Sequence, residues 1–263
     1  MGADPVILKP TTRDLRKYAR PDGIYDFLAR GGACLDMMAW EDDFLGDAIN
    51  GTYATYTNAS GTMTLVTSPA AGNGIASLNV IGAADADYCG FYMPNEPCMG
   101  QLNSVVAARV TGVTAITDVK FEIGFNDSPG ANAGVVNALN TPTYNATDGA
   151  VWVFDTSDTA YWQCAAVQAG VGITKIEPTY FGSAAASPVV GTYQWFIVAL
   201  KGTTAKFISL DANGRTIYET GWQANAITAA TTLSPWIFVQ NRTTTAKSLY
   251  VDYFGFWQRR TTS

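Results

Sequence analysis

From Trp40 to the C terminus, the sequence consists of short runs rich in Thr, Val and aromatic residues, separated by clusters of Gly, Asn, Asp, Pro and Ser. Branched and aromatic side chains favour extended strands, whereas the separating residues favour turns. No stretch in this part has a convincing helical spacing of apolar residues. The pattern therefore predicts an antiparallel all-β fold with many short strands.

Thirteen runs are predicted as strands because each has an apolar or aromatic centre bounded by turn residues. They are residues 62–67, 75–81, 90–93, 104–111, 119–125, 134–139, 150–154, 161–167, 193–201, 205–210, 216–220, 235–239 and 248–257. So many strands with short links and no intervening helices favour a two-sheet antiparallel sandwich of jelly-roll type. No repeat period is visible, which argues against a propeller or a solenoid.

Two of these runs give finer predictions. Between residues 119 and 125, apolar side chains alternate with Lys120, Glu122 and Gly124, which predicts one buried face and one solvated face. Asn213-Gly214 lies between two strand-like runs, and both residue types tolerate positive φ. That pair predicts a β-hairpin closed by a type I′ turn.

Residues 1–38 differ from the rest and are predicted to form a short, partly helical N-terminal arm. One short helix is predicted over residues 13–19 and a second over residues 24–30, which ends at Gly31-Gly32. Each has one small apolar stripe, Leu15 with Tyr18 in the first and Ile24 with Phe27 and Leu28 in the second. Because neither stripe can bury enough area alone, we expect the arm to pack on its own body or on a neighbouring subunit. Residues 39–263 are predicted to form the sandwich.

The net charge of the N-terminal residues also differs from that of the rest of the chain. Residues 1–30 carry six basic and four acidic side chains, so their net charge is +2, whereas the remaining residues have a net charge of −8. The basic side chains of the first predicted helix recur at three- and four-residue spacing, which places them on one face beside its apolar stripe. These predicted partner-binding residues are Arg13, Leu15, Arg16, Lys17, Tyr18 and Arg20. On a helix these side chains would fit an acidic groove with an apolar floor on a partner protein. The alternative is that they form a helix face exposed to solvent, with no partner. The acidic body argues against a nucleic-acid partner.

The absence of histidine limits the chemistry open to this chain. It removes Ser-His-Asp triads, Cys-His dyads and every His-ligated metal site. Cys34, Cys89, Cys98 and Cys164 form no CxxC pair, so buried free thiols are expected, with a Cys89–Cys98 disulfide as the alternative. No export signal and no run of roughly 18 apolar residues is visible, so no membrane partner is predicted.

Three segments resemble virion proteins of tailed bacteriophages: residues 40–47 (WEDDFLGD), 121–127 (FEIGFND) and 249–260 (LYVDYFGFWQRR). Those proteins carry a concanavalin A-like (lectin/glucanase) sandwich in which the first and last strands pair. The resemblance covers residues 40–260 and implies the same fold with a structural role on the virion. It implies the major capsid protein or other virion proteins as partners, and a homo-oligomer, with a trimer favoured. The protein would be made in the host cytoplasm and would end on the surface of the phage particle.

The same fold hosts glucanases and lectins, in which carboxylates and aromatic side chains can be functional. A retaining glucanase needs two carboxylates about 5–5.5 Å apart, usually on alternate residues of one strand, and no such spacing occurs in this sequence. Glu41-Asp42-Asp43 would point to opposite faces, and Asp155 with Asp158 follows a strand as a turn pair would. Calcium could use Asn126-Asp127 or residues 155–158, with turn formation as the alternative role. We therefore predict no catalytic residue, no cofactor and no metal site.

Aromatic residues lie within many of the predicted strands, where alternate side chains face the core and the surface. Trp195 and Phe196 are adjacent, so they cannot share a face of a regular strand. An exposed aromatic side chain could stack on a sugar or anchor a protein partner, and core packing is the alternative.

The leading functional prediction is a non-enzymatic phage virion structural protein, a capsid decoration or auxiliary head protein bound to the particle through its N-terminal arm. The alternative is a carbohydrate-binding adhesin module of a phage tail or head fibre. A glycan hydrolase or lyase is the third and weakest candidate.

Overall fold

The computed structural model describes residues 37–45, 48–58, 61–66, 74–82, 86–94, 98–112, 116–129, 134–139, 142–172 and 187–260. These residues form seventeen strands and one short 3-10 helix at Gly100–Leu102. The strands are β1 (Met37–Asp42), β2 (Ala54–Thr57), β3 (Gly61–Leu65), β4 (Ala76–Val80), β5 (Tyr88–Tyr92), β6 (Val105–Gly112), β7 (Val119–Asn126), β8 (Val136–Ala138), β9 (Thr143–Tyr144), β10 (Gly149–Asp155), β11 (Trp162–Gln168), β12 (Val171–Gly172), β13 (Gln194–Lys201), β14 (Thr204–Leu210), β15 (Thr216–Glu219), β16 (Ser234–Asn241) and β17 (Lys247–Arg259). The described part of the chain holds no helix with the length and apolarity that crossing a membrane requires.

Fifteen strands form two antiparallel sheets. Sheet A has eight strands in the order β15-β14-β13-β6-β17-β4-β3, with β1 also paired to β17. Sheet B has seven strands in the order β12-β11-β10-β7-β16-β5-β2, and β8 and β9 form a separate hairpin. The molecule is thus the all-β, two-sheet antiparallel sandwich that the strand pattern predicts.

The inner faces of the two sheets pack against each other and form the main hydrophobic core. Aromatic rings meet edge to face across it, with 5.0 Å between the ring centres of Phe91 and Phe254 and 5.5 Å between those of Trp152 and Phe196. Complete burial of one such side chain stabilises the fold by about 1.5–3 kcal/mol. The core therefore holds both sheets rigidly and fixes what lies on their outer faces.

The first and last described strands pair, as the resemblance implies. Trp40 in β1 lies opposite Phe256 in β17, and Asp42 lies opposite Phe254. Since β1 begins at Met37, the predicted boundary after residue 38 falls inside this strand. The two predicted helices and all six predicted partner-binding residues lie outside the described residues.

Four strands were not predicted: β1, β2, β9 and β12, of which the last two have only two residues each. The hairpin between β14 and β15 is confirmed, but its type I′ turn is wrong. Only Gly214 has positive φ, at 79°, because the turn is built on Asp211. The Asp211 carboxylate accepts the N–H groups of Asn213 and Arg215, and the Asp211 N–H donates to the Arg215 carbonyl. The result is a longer loop in which only the glycine takes the left-handed conformation.

Candidate functional site

The outer face of sheet B is covered at its centre by residues 134–139 and 142–148, which include the β8–β9 hairpin and are called the covering segment below. Val135, Val136 and Leu139 of this segment pack with Val151 and Val153 of β10 in a second buried apolar cluster. The Asn145 N–H donates to the Val135 carbonyl at 2.9 Å and closes the segment on itself. The cover is therefore part of the packed structure.

A buried ion pair lies beneath the covering segment. Lys120 and Glu122 are both fully buried in β7, and the Lys120 Nζ is 2.8 Å from Glu122 Oε1. The carboxylate also accepts the backbone N–H groups of Val135 at 2.6 Å and Val136 at 3.0 Å, and the indole N–H of Trp236 at 3.2 Å. The ammonium donates to the Val136 carbonyl as well. The prediction that this face of β7 is solvated is wrong, because the covering segment lies on it.

The electrostatics of the pair follow from its burial. Loss of hydration lowers the pKa of the Lys120 amine from its ordinary 10.5, and the attraction of Glu122 opposes that change. With four donors around it and no exposed surface, the Glu122 carboxylate is held in place and shielded from solvent. The geometry suits attachment of a peptide segment to a sheet, and it gives this carboxylate no access for acid–base or nucleophilic work.

Gly134 permits the close approach of the covering segment. Its φ is +93°, and a Cβ atom there would lie 2.6 Å from Glu122 Oε1 and 2.7 Å from Lys120 Nζ. Those separations are too short for any side chain, and the positive φ is itself unfavourable for residues other than glycine. The glycine therefore couples the cover to the ion pair.

Beside the covering segment, three tyrosines lie half-buried on the same outer face of sheet B. Tyr56 belongs to β2, while Tyr88 and Tyr92 belong to β5. Tyr56 lies opposite Gly90 in the strand register, so the three rings surround this small residue. We call Tyr56, Tyr88 and Tyr92 the tyrosine face.

The tyrosine face rests on buried aromatic rings. Tyr56 and Tyr88 stack with 4.8 Å between ring centres and an interplanar angle of 24°. The fully buried ring of Trp236 lies 6.0 Å from Tyr56, and that of Phe238 lies 5.7 Å from Tyr88. Burial, followed by the hydrogen bond to Tyr88, raises the pKa of Tyr56. The face therefore offers neutral rings with hydroxyl groups on a rigid base, a surface suited to stacking with hydrogen bonds.

Local sequence patterns do not mark these three tyrosines as a group. The predicted strand over residues 90–93 begins after Tyr88, and β2 was not predicted at all. The alternation Tyr88, Gly90, Tyr92 is a period of two, which could have indicated one aromatic strand face. Tyr56 could be added only through the strand register.

The carboxylates weighed for catalysis occupy structural positions. Glu41 accepts the indole N–H of Trp257 at 3.1 Å on the outer side of sheet A. Asp42 accepts the Phe44 N–H at 2.7 Å, and Phe44 belongs to the core between the sheets. The two neighbouring carboxylates thus serve opposite faces, as predicted.

The four remaining candidate ligands form turns and pairs. Asp155 is fully buried, accepts the Ser157 N–H at 3.1 Å, and forms an ion pair with Arg242. Asp158 accepts the Gln163 side-chain N–H at 2.9 Å. These contacts match the predicted turn role of the two residues.

Asn126 and Asp127 act in the same way at the end of β7. Asn126 accepts the Ser128 N–H at 2.9 Å, and Asp127 accepts the Asp148 N–H at 2.9 Å. Loss of hydration raises the pKa of Asp127. Across the described ranges, no three His, Cys, Asp or Glu residues lie close enough together to hold a metal ion.

Two further expectations are confirmed. Cys89, Cys98 and Cys164 are buried and remain thiols, so the Cys89–Cys98 disulfide is not formed, while Cys34 lies outside the described residues. Burial raises the pKa of the Cys89 thiol to about 12, which makes it unreactive. Phe196 belongs to the core between the sheets, whereas Trp195 belongs to a separate cluster on the outer face of sheet A.

Comparison with known proteins gives a fold and no family. No family model and no curated protein matches this sequence. A protein of unknown function from Shewanella oneidensis MR-1 is similar in structure, with a TM-score of 0.61, 13% identity, and coverage of 88% of this chain and 91% of that one. Peanut lectin matches with a TM-score of 0.56 and 9% identity over 84% of this chain and 97% of the lectin. A Bacillus licheniformis β-glucanase matches with a TM-score of 0.50 and 11% identity over 83% and 97% of the two chains. At these identities the likeness concerns architecture alone, and the fold is the concanavalin A-like lectin/glucanase sandwich.

Proposed function

We propose that this chain is a non-enzymatic structural protein of a tailed-bacteriophage virion, acting as a capsid decoration or auxiliary protein. The buried Glu122 carboxylate supports the non-enzymatic part, because two N–H groups of the covering segment and the side chains of Lys120 and Trp236 surround it. The three segments that resemble virion proteins support the structural role on the virion. They include the second half of β1, the last part of β17 that pairs with β1, and most of β7 at the centre of sheet B.

Attachment to the particle is assigned to the arm. The body beyond residue 30 has a net charge of −8, so an acidic surface repels it within about 8 Å at physiological salt. The basic side chains of residues 13–20 are free of that repulsion. In this proposal they contact the major capsid protein or another virion protein, and the particle carries oligomers, with a trimer favoured by sites of threefold symmetry.

The test uses purified particles of the phage that encodes the chain. Mass spectrometry should find the full-length chain at a fixed copy number, and particle imaging should find its sandwich on the surface. Changing Arg13, Arg16, Lys17 and Arg20 together to Gln should reduce occupancy at least about tenfold. Absence of the chain from washed particles contradicts the virion role. Unchanged occupancy of the Gln variant contradicts attachment through the basic face.

A second candidate, a carbohydrate-binding module, is favoured by the tyrosine face. Half-buried rings on a rigid aromatic base can stack on the apolar face of a pyranose ring, while their hydroxyl groups bond to sugar hydroxyls. The lectin among the similar structures belongs to the same fold, and here that likeness concerns architecture only.

A glycan array distinguishes this candidate. The wild-type protein should bind a reproducible subset of glycans, and Tyr88→Ala should weaken that binding about tenfold by removing one stacking ring. Tyr88→Phe keeps the ring and should lose less. Tyr161→Ala is the matched control, because Tyr161 is 37% exposed on the turn before β11. Equal loss in both alanine variants, or no glycan binding at all, contradicts a carbohydrate role for the tyrosine face.

A further inference from the structure

Tyr56 and Tyr88 of the tyrosine face form a close pair on two neighbouring strands. Their rings stack with 4.8 Å between centres and an interplanar angle of 24°. The hydroxyl groups of the two rings form a hydrogen bond, which brings the ring carbons beside them together. Both side chains are half-buried, so small molecules in solution can reach them. The pair is therefore both ordered and accessible.

Gly90 gives the two rings room to meet. It lies opposite Tyr56 in the strand register and two residues from Tyr88 on the same face of β5. A Cβ atom at position 90 would lie 2.6 Å from the Ile237 carbonyl oxygen and 3.3 Å from the ring of Phe238, so a side chain does not fit there. With no side chain opposite it, the Tyr56 ring packs diagonally on that of Tyr88.

The buried rings beneath the pair hold it in this arrangement. Trp236 lies 6.0 Å from Tyr56 and Phe238 lies 5.7 Å from Tyr88 between ring centres, and both lower rings are fully buried. Two phenols fixed in contact have a much higher effective concentration for each other than for a phenol of another molecule. A reaction that joins two phenols is therefore favoured within this pair.

We propose that Tyr56 and Tyr88 are an oxidative cross-linking site, at which a one-electron oxidant joins the two rings by a carbon–carbon bond. Each phenol gives up one electron and one proton, and the two phenoxyl radicals couple at ring carbons next to the hydroxyl groups. The hydrogen on each coupled carbon then moves to its phenolic oxygen through solvent, which restores both phenols. The protein loses two hydrogen atoms in all. The two electrons reduce the oxidant, and with persulfate they yield two sulfate ions.

The cross-link fastens a strand at the edge of sheet B. β2 has four residues, and among the described strands it pairs with β5 alone. Backbone hydrogen bonds therefore hold it from one side only. A covalent bond from residue 56 to residue 88 also closes a loop of the chain, which lowers the entropy of the unfolded state. Oxidation at this site thus stabilises the sandwich.

Photo-oxidation of the purified full-length protein tests this assignment. Visible light with tris(bipyridyl)ruthenium and persulfate supplies one-electron oxidants. Dityrosine fluorescence should appear in single chains, and peptide mapping should join residue 56 to residue 88 with two hydrogen atoms missing. Tyr56→Phe and Tyr88→Phe should each lower the yield of this fluorescence within single chains at least about tenfold. Tyr92→Phe is the matched control and should keep the yield, because Tyr92 lies opposite Ala54 and not opposite a ring of β2.

Thermal unfolding of the same samples gives a second readout. Cross-linked wild-type protein should have a Tm about 5–10 °C above that of untreated protein, whereas Tyr56→Phe treated in the same way should show no rise. The absence of a 56–88 link, equal yields in Tyr56→Phe and Tyr92→Phe, or a Tm that the link leaves unchanged overturns the proposal. Because neither particles nor glycans are present, failure here leaves the proposed functions unaffected, and their failure leaves the cross-link unaffected.

Discussion

The outer face of each sheet contains a buried cluster, and the two clusters differ in chemistry. On sheet B the Lys120–Glu122 pair receives the covering segment through hydrogen bonds, and each bond requires a particular backbone group in a particular place. On sheet A the patch around Trp195 and Trp257 is apolar, and its rim charges are already paired. The ion pair thus fixes the position of the covering segment on sheet B, whereas the cluster on sheet A is stabilised mainly by hydrophobic burial.

Removing the Glu122 carboxylate should cause the largest loss of stability. Glu122→Ala leaves Lys120 buried without its ion pair and strips the acceptor from two backbone N–H groups and one indole. The free energy of unfolding should fall by about 3–5 kcal/mol, the usual cost of leaving half of a buried pair. Urea unfolding followed by circular dichroism measures it.

The matched control lies on the other face. Glu219→Ala removes the partner of Lys206 on the outer face of sheet A, where the Glu219 carboxylate is 30% exposed. Its cost should stay below about 1 kcal/mol because water can replace the partner. If both variants lose the same stability, the buried pair does not hold the cover.

A smaller effect is expected from filling the space at Gly134. Gly134→Ala adds a Cβ atom against the ion pair at a φ of +93°, so the free energy of unfolding should fall by about 2–4 kcal/mol. Gly170→Ala measures the cost of the backbone conformation alone, because Gly170 has a φ of +78° and open space around its Cβ position. That control should lose about 1–2 kcal/mol. If the two variants lose the same free energy of unfolding, the close contact between residue 134 and the ion pair is contradicted.

The smallest expected effect concerns the end of the covering segment, where Asp127 accepts the Asp148 N–H. Burial raises the pKa of Asp127, so the folded state binds this proton more tightly than the unfolded state. The resulting stabilisation is present below the ordinary pKa of about 3.9 and is lost as pH rises through the raised value. Asp127 is partly exposed, so solvent screening keeps the change below about 1 kcal/mol.

Asp127→Asn removes this titration. The stability of the variant relative to wild type should therefore rise from pH 3.5 upward and then level off below neutral pH. Urea unfolding of both proteins across this range measures the difference. A constant difference at every pH contradicts a raised pKa at the end of the cover.

Local sequence signals predicted most of the fold because they act within each strand. All thirteen predicted runs overlap strands of the structure, and the hairpin at Asn213-Gly214 is real. The turn type was wrong because the Asp211 carboxylate competes for the loop N–H groups, and an Asn-Gly rule does not include that carboxylate. Local patterns therefore gave the elements more reliably than their connections.

The outer faces could not be predicted from local patterns. Alternation along β7 placed Lys120 and Glu122 correctly on one face, but it said nothing of the covering segment that packs on that face. The tyrosine face depends on pairing between Tyr56 and Gly90, residues that lie far apart in sequence. What a sheet face contacts is a long-range property, and the sequence period reports only which residues share that face.

Hydrogen exchange at two backbone amides tests the closed outer face of sheet B most directly. The N–H groups of Val135 and Val136 donate to the buried Glu122 carboxylate, so they should exchange as slowly as the amides of β7, through global unfolding alone. In Glu122→Ala both should become at least about a hundredfold faster relative to β7. Exchange of these two amides within seconds in the wild-type protein, while β7 stays protected, contradicts a cover held by the ion pair.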